Sequence, residues 1–404
     1  MGSARVVGMA ALGLLVASGA VSAQGGSPSA SPSAEPSASV APSDADAPLW
    51  GEAARDLRMT LVTLPSGLPA ARLNAVAIGG PGYVAVGATE PEEVGPVDTL
   101  VLGSIDGVAW TAADLGELAQ AGTLDDVVAG PGGLVAVGST WTSTGRQDAI
   151  ALVSTDGLVW RASTDPDLRT AWMAGVALWG DGMVAVGCRL SSDGLCAAPS
   201  AWTSTDGLEW DRVSMPATAG DPDAVASGDG LLVVMGVSSA IADGSPVVST
   251  TRDLSTWTVR ELGFGGGLSS ATVDGDHIIA AGTLVDQDGD VLFRGVVAYS
   301  PNAGGRWVRL PLTAPAGSRF SGVSVAGPVI AYGSREAADL SAVPASWVGS
   351  TAVDWNRVRG VPAQARGEVS DFVPFADRPG GIAVGATGER GDEPAIWVIE
   401  TLRS

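Results

Sequence analysis

STDGLVW at residues 154–160 returns as STDGLEW at residues 204–210. A phrase that a chain repeats at such a distance belongs either to a reaction site or to architecture, and the rest of the sequence decides between them. An apolar phrase ending in glycine runs through the chain: YVAVG to Gly87, LVAVG to Gly138, MVAVG to Gly187, LVVMG to Gly236, IIAAG to Gly282, VIAYG to Gly333 and GIAVG to Gly385. Successive glycines lie 46 to 52 residues apart, which is the sequence signature of a repeat architecture. The STDGLVW phrase falls at one fixed place in that unit.

The second copy reads as four short strands, over residues 124–129, 134–138, 149–154 and 158–162. The runs are rich in Val, Ile, Leu, Thr and Trp and are punctuated by glycine, which favours strands over helices. Asp156-Gly157 is a two-residue hairpin signal of type I′, so the repeated phrase is predicted to turn the third strand into the fourth. Seven units of four antiparallel strands describe an all-β, seven-bladed β-propeller, with an open solenoid as the alternative. The last unit ends soon after Trp397, too early for a full fourth strand. An N-terminal strand within residues 58–64 is therefore expected to complete the last blade and close the ring.

Ser300-x-Asn302-x-Gly304-x-x-Trp307 has the spacing Ser-x-Asp-x-Gly-x-x-Trp. It resembles the Asp-box, or BNR, repeat of sialidase-like propellers. One residue shorter, Ser104, Asp106, Gly107 and Trp110 resemble it too, as do Ser154, Asp156, Gly157 and Trp160, and Ser204, Asp206, Gly207 and Trp210. The phrases at 249–257 and 350–355 are more degraded. The resemblance implies a structural turn, and the residues agree: Ser and Asp side chains satisfy turn amides, and Trp is an apolar plug. Catalysis needs one asymmetric site and has no use for a polar pair copied blade after blade.

The resemblance also implies what a sialidase would need: an Arg triad, a Tyr–Glu nucleophile pair, an Asp acid and an Arg-Ile-Pro motif. No Arg-Ile-Pro occurs, and Tyr83, Tyr299 and Tyr332 all lie in strand phrases, where they read as core or sheet residues. Arg161, Arg212, Arg309 and Arg357 follow the closing Trp, where a charge guards an outer sheet edge. The expectation is a non-catalytic propeller, with a divergent glycoside hydrolase and an assembly factor for an exported complex as alternatives.

Formal charge is −22, with 22 basic residues, all Arg, and one His. Such a surface repels phosphate backbones, so nucleic acid is not an expected partner. The absence of Lys, with Ala, Gly and Val abundant, fits a GC-rich bacterial genome. Residues 1–23 read as a secretory signal peptide, with Arg5 before an apolar run and Val21-Ser22-Ala23 before Gln24. An uncleaved anchor is the alternative, although the run is short for a membrane helix. After cleavage no stable membrane insertion is expected. Residues 24–48, rich in Ser, Pro and Ala, read as a disordered linker ahead of a propeller at 49–404. Export makes Cys188 and Cys196 an expected disulfide bracing one loop.

No cofactor is expected. Asp286, Asp288 and Asp290 have the spacing of the start of a Ca²⁺ loop but lack its later Glu, and a solvated turn is the competing reading. His277 reads as an exposed turn residue, because a lone His without a nearby Cys makes no zinc site. The expected function is that of an exported monomer binding a protein or glycan partner. Recognition is placed on the loops between second and third strands, at residues 90–93, 146–148, 188–196 and 286–290, because variable loops on a rigid scaffold carry binding.

Overall fold

In a strand buried on both faces, apolar residues need not alternate with polar ones. The glycine-ended phrase shows this pattern: Val84, Ala85 and Val86 are all buried, as are Val135, Ala136 and Val137, and Val184, Ala185 and Val186. A computed structural model gives the reason. It describes residues 56–401 apart from 81, 91–96, 121, 143–145, 239–243, 287–291, 311–316, 326–327, 350–354 and 363–364. The described chain forms seven four-stranded antiparallel sheets, each in sequence order apart from the last. The glycine-ended phrase is the second strand of each, such as Gly133–Trp141, and it is packed between neighbouring blades. The inner strands, beginning with Ala71–Gly79, contact one another in order, and the seventh returns to the first around a central channel.

The ring closes through Leu57–Leu61, which pairs antiparallel with Glu393–Thr401 as the outer strand of the seventh blade. Leu57 and Met59 of this strand are buried in the core shared by the sixth and seventh blades. The strand thus supplies both a sheet edge and core volume.

Every inner strand carries one register shift, and in every blade it follows the residue paired with the phrase-ending glycine: Leu73 with Gly87, Leu124 with Gly138, Val369 with Gly385. A Cβ on Gly87, Gly138 or Gly187 would lie 2.0 Å from a carbonyl oxygen of the inner strand. Only glycine lets the bulged strand come so close. The glycine that marks the repeat therefore also fixes where the inner strand kinks.

The repeated turn differs from the expected hairpin. Only Gly157 has a positive φ, at +74°, whereas a type I′ turn needs two such residues. Asp156 Oδ1 instead accepts the amides of Leu158 and Val159 at 2.9 and 2.8 Å, and Ser154 Oγ accepts that of Gly157 at 2.9 Å. Trp160 folds back, buried, with its ring N–H on the Gly157 carbonyl at 3.1 Å. This wider turn takes up residues 158–160, so the fourth strand is only Arg161–Ala162. The turns at Ser104, Asp106 and Trp110 and at Ser204, Asp206 and Trp210 bond alike, and that at Ser300, Asn302 and Trp307 does so with one more residue. In the fourth blade the pattern starts at Thr251, with Asp253, Leu254 and Trp257 in the remaining places.

The turns at Gly107, Gly157, Gly207 and Gly304 also grip the blade before them. A Cβ on Gly157 would meet Val84 of the first blade at 2.6 Å, one on Gly207 would meet Val135 of the second at 2.7 Å, and one on Gly107 would meet Ile382 of the seventh at 2.9 Å. The phrase is a device for stacking blades.

Candidate functional site

The bulges place one residue per blade on the channel wall: Asn74, Asp125, Ala174, Asp223, Ser269, Ser321 and Ser370. Asp126 and Asp371 follow directly in the second and seventh blades. They reach across to the next blade. Asp126 Oδ2 accepts the Val176 amide at 2.8 Å and Asp371 Oδ2 accepts the Val76 amide at 2.9 Å. Asn74 donates to the Leu124 carbonyl at 2.8 Å in the same manner. The Tyr332 hydroxyl, from the sixth blade, donates to Asp371 Oδ1 at 3.1 Å. Nearer the mouth, Arg72 pairs with Glu90 at 3.1 Å and with Glu368 of the seventh blade.

This wall is unusually acidic for a protein interior. Burial pushes the Asp126 carboxyl up to about 7; the Val176 amide pulls it back, and the nearby Asp371 charge adds to the rise. Burial raises Asp371 as well, opposed by the Val76 and Phe372 amides and the Tyr332 hydroxyl. Asp125 stands well above the usual carboxylate range through burial and then the charge of Asp126. Enclosure by the ring, then Asp221, brings Asp223 to about 7. Its side chain is nevertheless exposed to channel water, which weakens that rise, whereas Asp126 is half-buried and keeps more of it. Tyr332 is raised far from titration by burial and then by Asp371, so it stays a hydrogen-bond donor.

A stability effect follows from these shifts. The unfolded chain releases its carboxyl protons near pH 4, while folded Asp126 holds its proton to about pH 7 and the water-exposed Asp223 is raised in the same direction by less. Between those values the folded state binds more protons, so stability falls as pH rises from about 4 to 7. The turn carboxylates behave oppositely. Asp253 is lowered to about 2 by the Thr256 and Ser255 amides, and what it contributes is lost only as pH falls from about 4 through that value. Wild-type protein should melt higher at pH 5 than at pH 8, and Asp126→Asn with Asp223→Asn should raise the pH 8 melting point and flatten the difference. An unchanged pH slope in the double variant would show that these carboxyls are not the source.

The loops expected to carry recognition are partly described. Arg146 and Asp148 form an ion pair at 2.7 Å, and Asp148 also accepts the Thr170 amide at 2.7 Å, tying this hairpin to the third blade. Trp141, at the end of the second strand, is 58% exposed. A disulfide joins Cys188 and Cys196 across the next hairpin. Most of the loop at 90–93, Asp288, Asp290 and the Asp286 side chain lie outside the described residues, as do the signal segment and the linker. Among the described residues only Cys188, Cys196 and Asp221 cluster as ligands would, and disulfide sulfurs are not the thiolates a metal requires.

Two side chains depart from the sequence reading. His277 is half-buried, with Nδ1 2.5 Å from the buried Tyr299 hydroxyl, and is not a free turn residue. Tyr332, read as core, turns its hydroxyl to a channel carboxylate. Asp125, Asp126, Asp223 and Asp371 went unread. A signal existed: Asn74, Asp125, Ala174, Asp223 and Ser269 each stand 13 residues before their phrase-ending glycine.

No protein-family model and no curated protein sequence matches the chain. Solved structures do resemble it. An alpha-L-arabinanase from Penicillium chrysogenum, complexed with arabinobiose, superposes with a TM-score of 0.45 at 12% identity, covering 86% of this chain and 98% of that one. Sqt1 from Chaetomium thermophilum gives 0.46 at 13%, over 85% and 97%. The Trypanosoma rangeli sialidase, in complex with sialic acid, gives 0.44 at 12%, over 87% and 58%. At these identities the likeness concerns the fold alone. The expectation that the chain is not an enzyme does not stand: glycoside hydrolases are among the structures whose fold it resembles, and the fold by itself excludes no catalysis. That expectation rested on the missing Arg-Ile-Pro motif and the placement of the tyrosines, which speak only to sialidase chemistry.

Proposed function

We propose that this chain is an exported binding propeller that holds a protein or glycan partner at the mouth of its channel, on the face of the loops between second and third strands. The contrast between its two faces carries this reading. One face repeats the same locked turn, with Ser154, Ser204 and their equivalents bonded alike. On the other, the described loops differ from one another: an exposed Trp141 beside an ion pair, a disulfide-braced hairpin, an Arg72 bridge. An exposed Trp offers a flat apolar surface with a polar N–H, suited to stacking on a sugar ring or filling a protein pocket. The disulfide fits an extracytoplasmic setting.

Glycan arrays and pull-downs with residues 49–404 would find the partner. Trp141→Ala should then weaken binding about 30-fold, the loss of a 2 kcal/mol anchor, with the melting point unchanged. Wild-type affinity in Trp141→Ala and in channel-mouth variants alike would refute the placement.

One observation favours a second reading, glycoside hydrolysis in the channel. Asp126, raised to about 7, stands close enough to Asp371, itself raised by burial, to feel its charge, and a pair of carboxyls facing one enclosed space is what such hydrolysis uses. Turnover abolished by Asp126→Asn and by Asp371→Asn, with ligand binding kept, would establish it.

A further inference from the structure

We infer that the outer rim of the sixth blade carries a binding pocket for an oxyanion, formed by Arg335, Arg357 and Arg359. The three arginines line a cavity of about 100 Å³ floored by Pro344, Ala345 and Gly360. Their placement follows from the sheet. Arg335, next to last in the second strand, lies opposite Val343, and Arg357 ends the fourth opposite Trp347, so both project from the same face of the blade. Arg359 lies two residues on, in the connection to the seventh blade, with its carbonyl held by the Met59 amide at 2.7 Å. Ala345, between these partners on the third strand, is too small to fill the space.

Charge makes the arrangement unusual. The chain carries −22, and among the described residues Arg72, Arg146, Arg252, Arg366 and Arg390 each reach a carboxylate, while others such as Arg161, Arg212 and Arg309 reach none, so what sets the cluster apart is that three such groups share one cavity. Among the described residues, Arg335, Arg357 and Arg359 have no carboxylate within 4.0 Å, although they point into one cavity. Burial, and then the like charge of Arg357, lowers the affinity of Arg335 for its proton, so the cluster is repulsive as it stands. Guanidinium groups brought together without counter-charges are matched by a bound oxyanion, which accepts several forked N–H bonds at once. The space is several times the roughly 10–15 Å³ that one water needs, so a sulfate, phosphate or carboxylate group fits. The pocket lies on the rim and does not depend on what the channel mouth binds.

Melting of residues 49–404 should be followed at low ionic strength in sulfate, phosphate or chloride. Sulfate and phosphate should raise the melting point with saturation, and Arg335→Gln and Arg357→Gln should each weaken the apparent affinity at least tenfold. In chloride both variants should melt at or above wild type, since each relieves repulsion, and this separates lost binding from lost folding. A sulfated disaccharide stabilising at lower concentration than inorganic sulfate would assign the site to an anionic glycan, and an equal response to a free anion. The inference fails if the increments do not saturate or persist in both variants, because general salt stabilisation would then account for them.

Discussion

A chain lacking residues 57–61 is expected to lose its cooperative melting transition, whereas one that begins at residue 49 keeps it. The deleted strand makes the whole outer ladder of the seventh blade, from Leu57 opposite Thr401 to Leu61 opposite Trp397. Its removal leaves Glu393–Thr401 as a bare edge and uncovers core around Ile330, Val348 and Val358. Met59→Ala alone should cost about 2–5 kcal/mol, because Met59 is 2% exposed. That is already comparable with the 5–15 kcal/mol that typically separates folded from unfolded domains. Exposed edges also pair with other chains, so aggregation should accompany the loss. Matching melting curves for the two chains would mean that the ring holds without its closing strand.

Trp160→Ala is expected to destabilise the protein by about 3–5 kcal/mol, as truncation of a buried aromatic does. The indole is 6% exposed and packs with Val84, Leu134 and Leu152 in the core between the first and second blades. Its N–H also leaves the Gly157 carbonyl unpaired when removed. Because the turn lies far from the variable loops, partner affinity measured well below the melting point should not change. Denaturant unfolding of the variant decides the matter, and a shift under about 1 kcal/mol would mean that the phrase does not hold the blades together.

Much of the architecture is written in repetition. The seven glycine-ended phrases, the strand-sized runs and the short last unit suffice for a propeller closed by an N-terminal strand. The blades depend on contacts between neighbours in sequence or between adjacent copies, which recur with the repeat and leave a period, while the closing strand shows itself only as the fourth strand that the last unit lacks. Turn chemistry was legible only in part. Asp156-Gly157 reads as a hairpin pair, but the Asp156 carboxylate outcompetes the backbone for the Leu158 and Val159 amides and draws three more residues into the turn.

The sequence by itself determined the fold, the number of blades and the structural part played by STDGLVW. Only the tertiary structure decided which polar side chains meet. Asp126, Tyr332 and Asp371 come from the second, sixth and seventh blades, and Arg335 joins Arg357 and Arg359 across the third strand of the sixth. Asp126, Tyr332 and Asp371 stand where most other blades carry different residues, and although Arg357 recurs as Arg161, Arg212 and Arg309, no period says which of these meets two further arginines. The arginines meet through strand pairing within one blade, whereas the carboxylates become neighbours because closing the ring brings every bulged inner strand to one axis, where groups distant in the chain share an enclosed space and shift one another's protons.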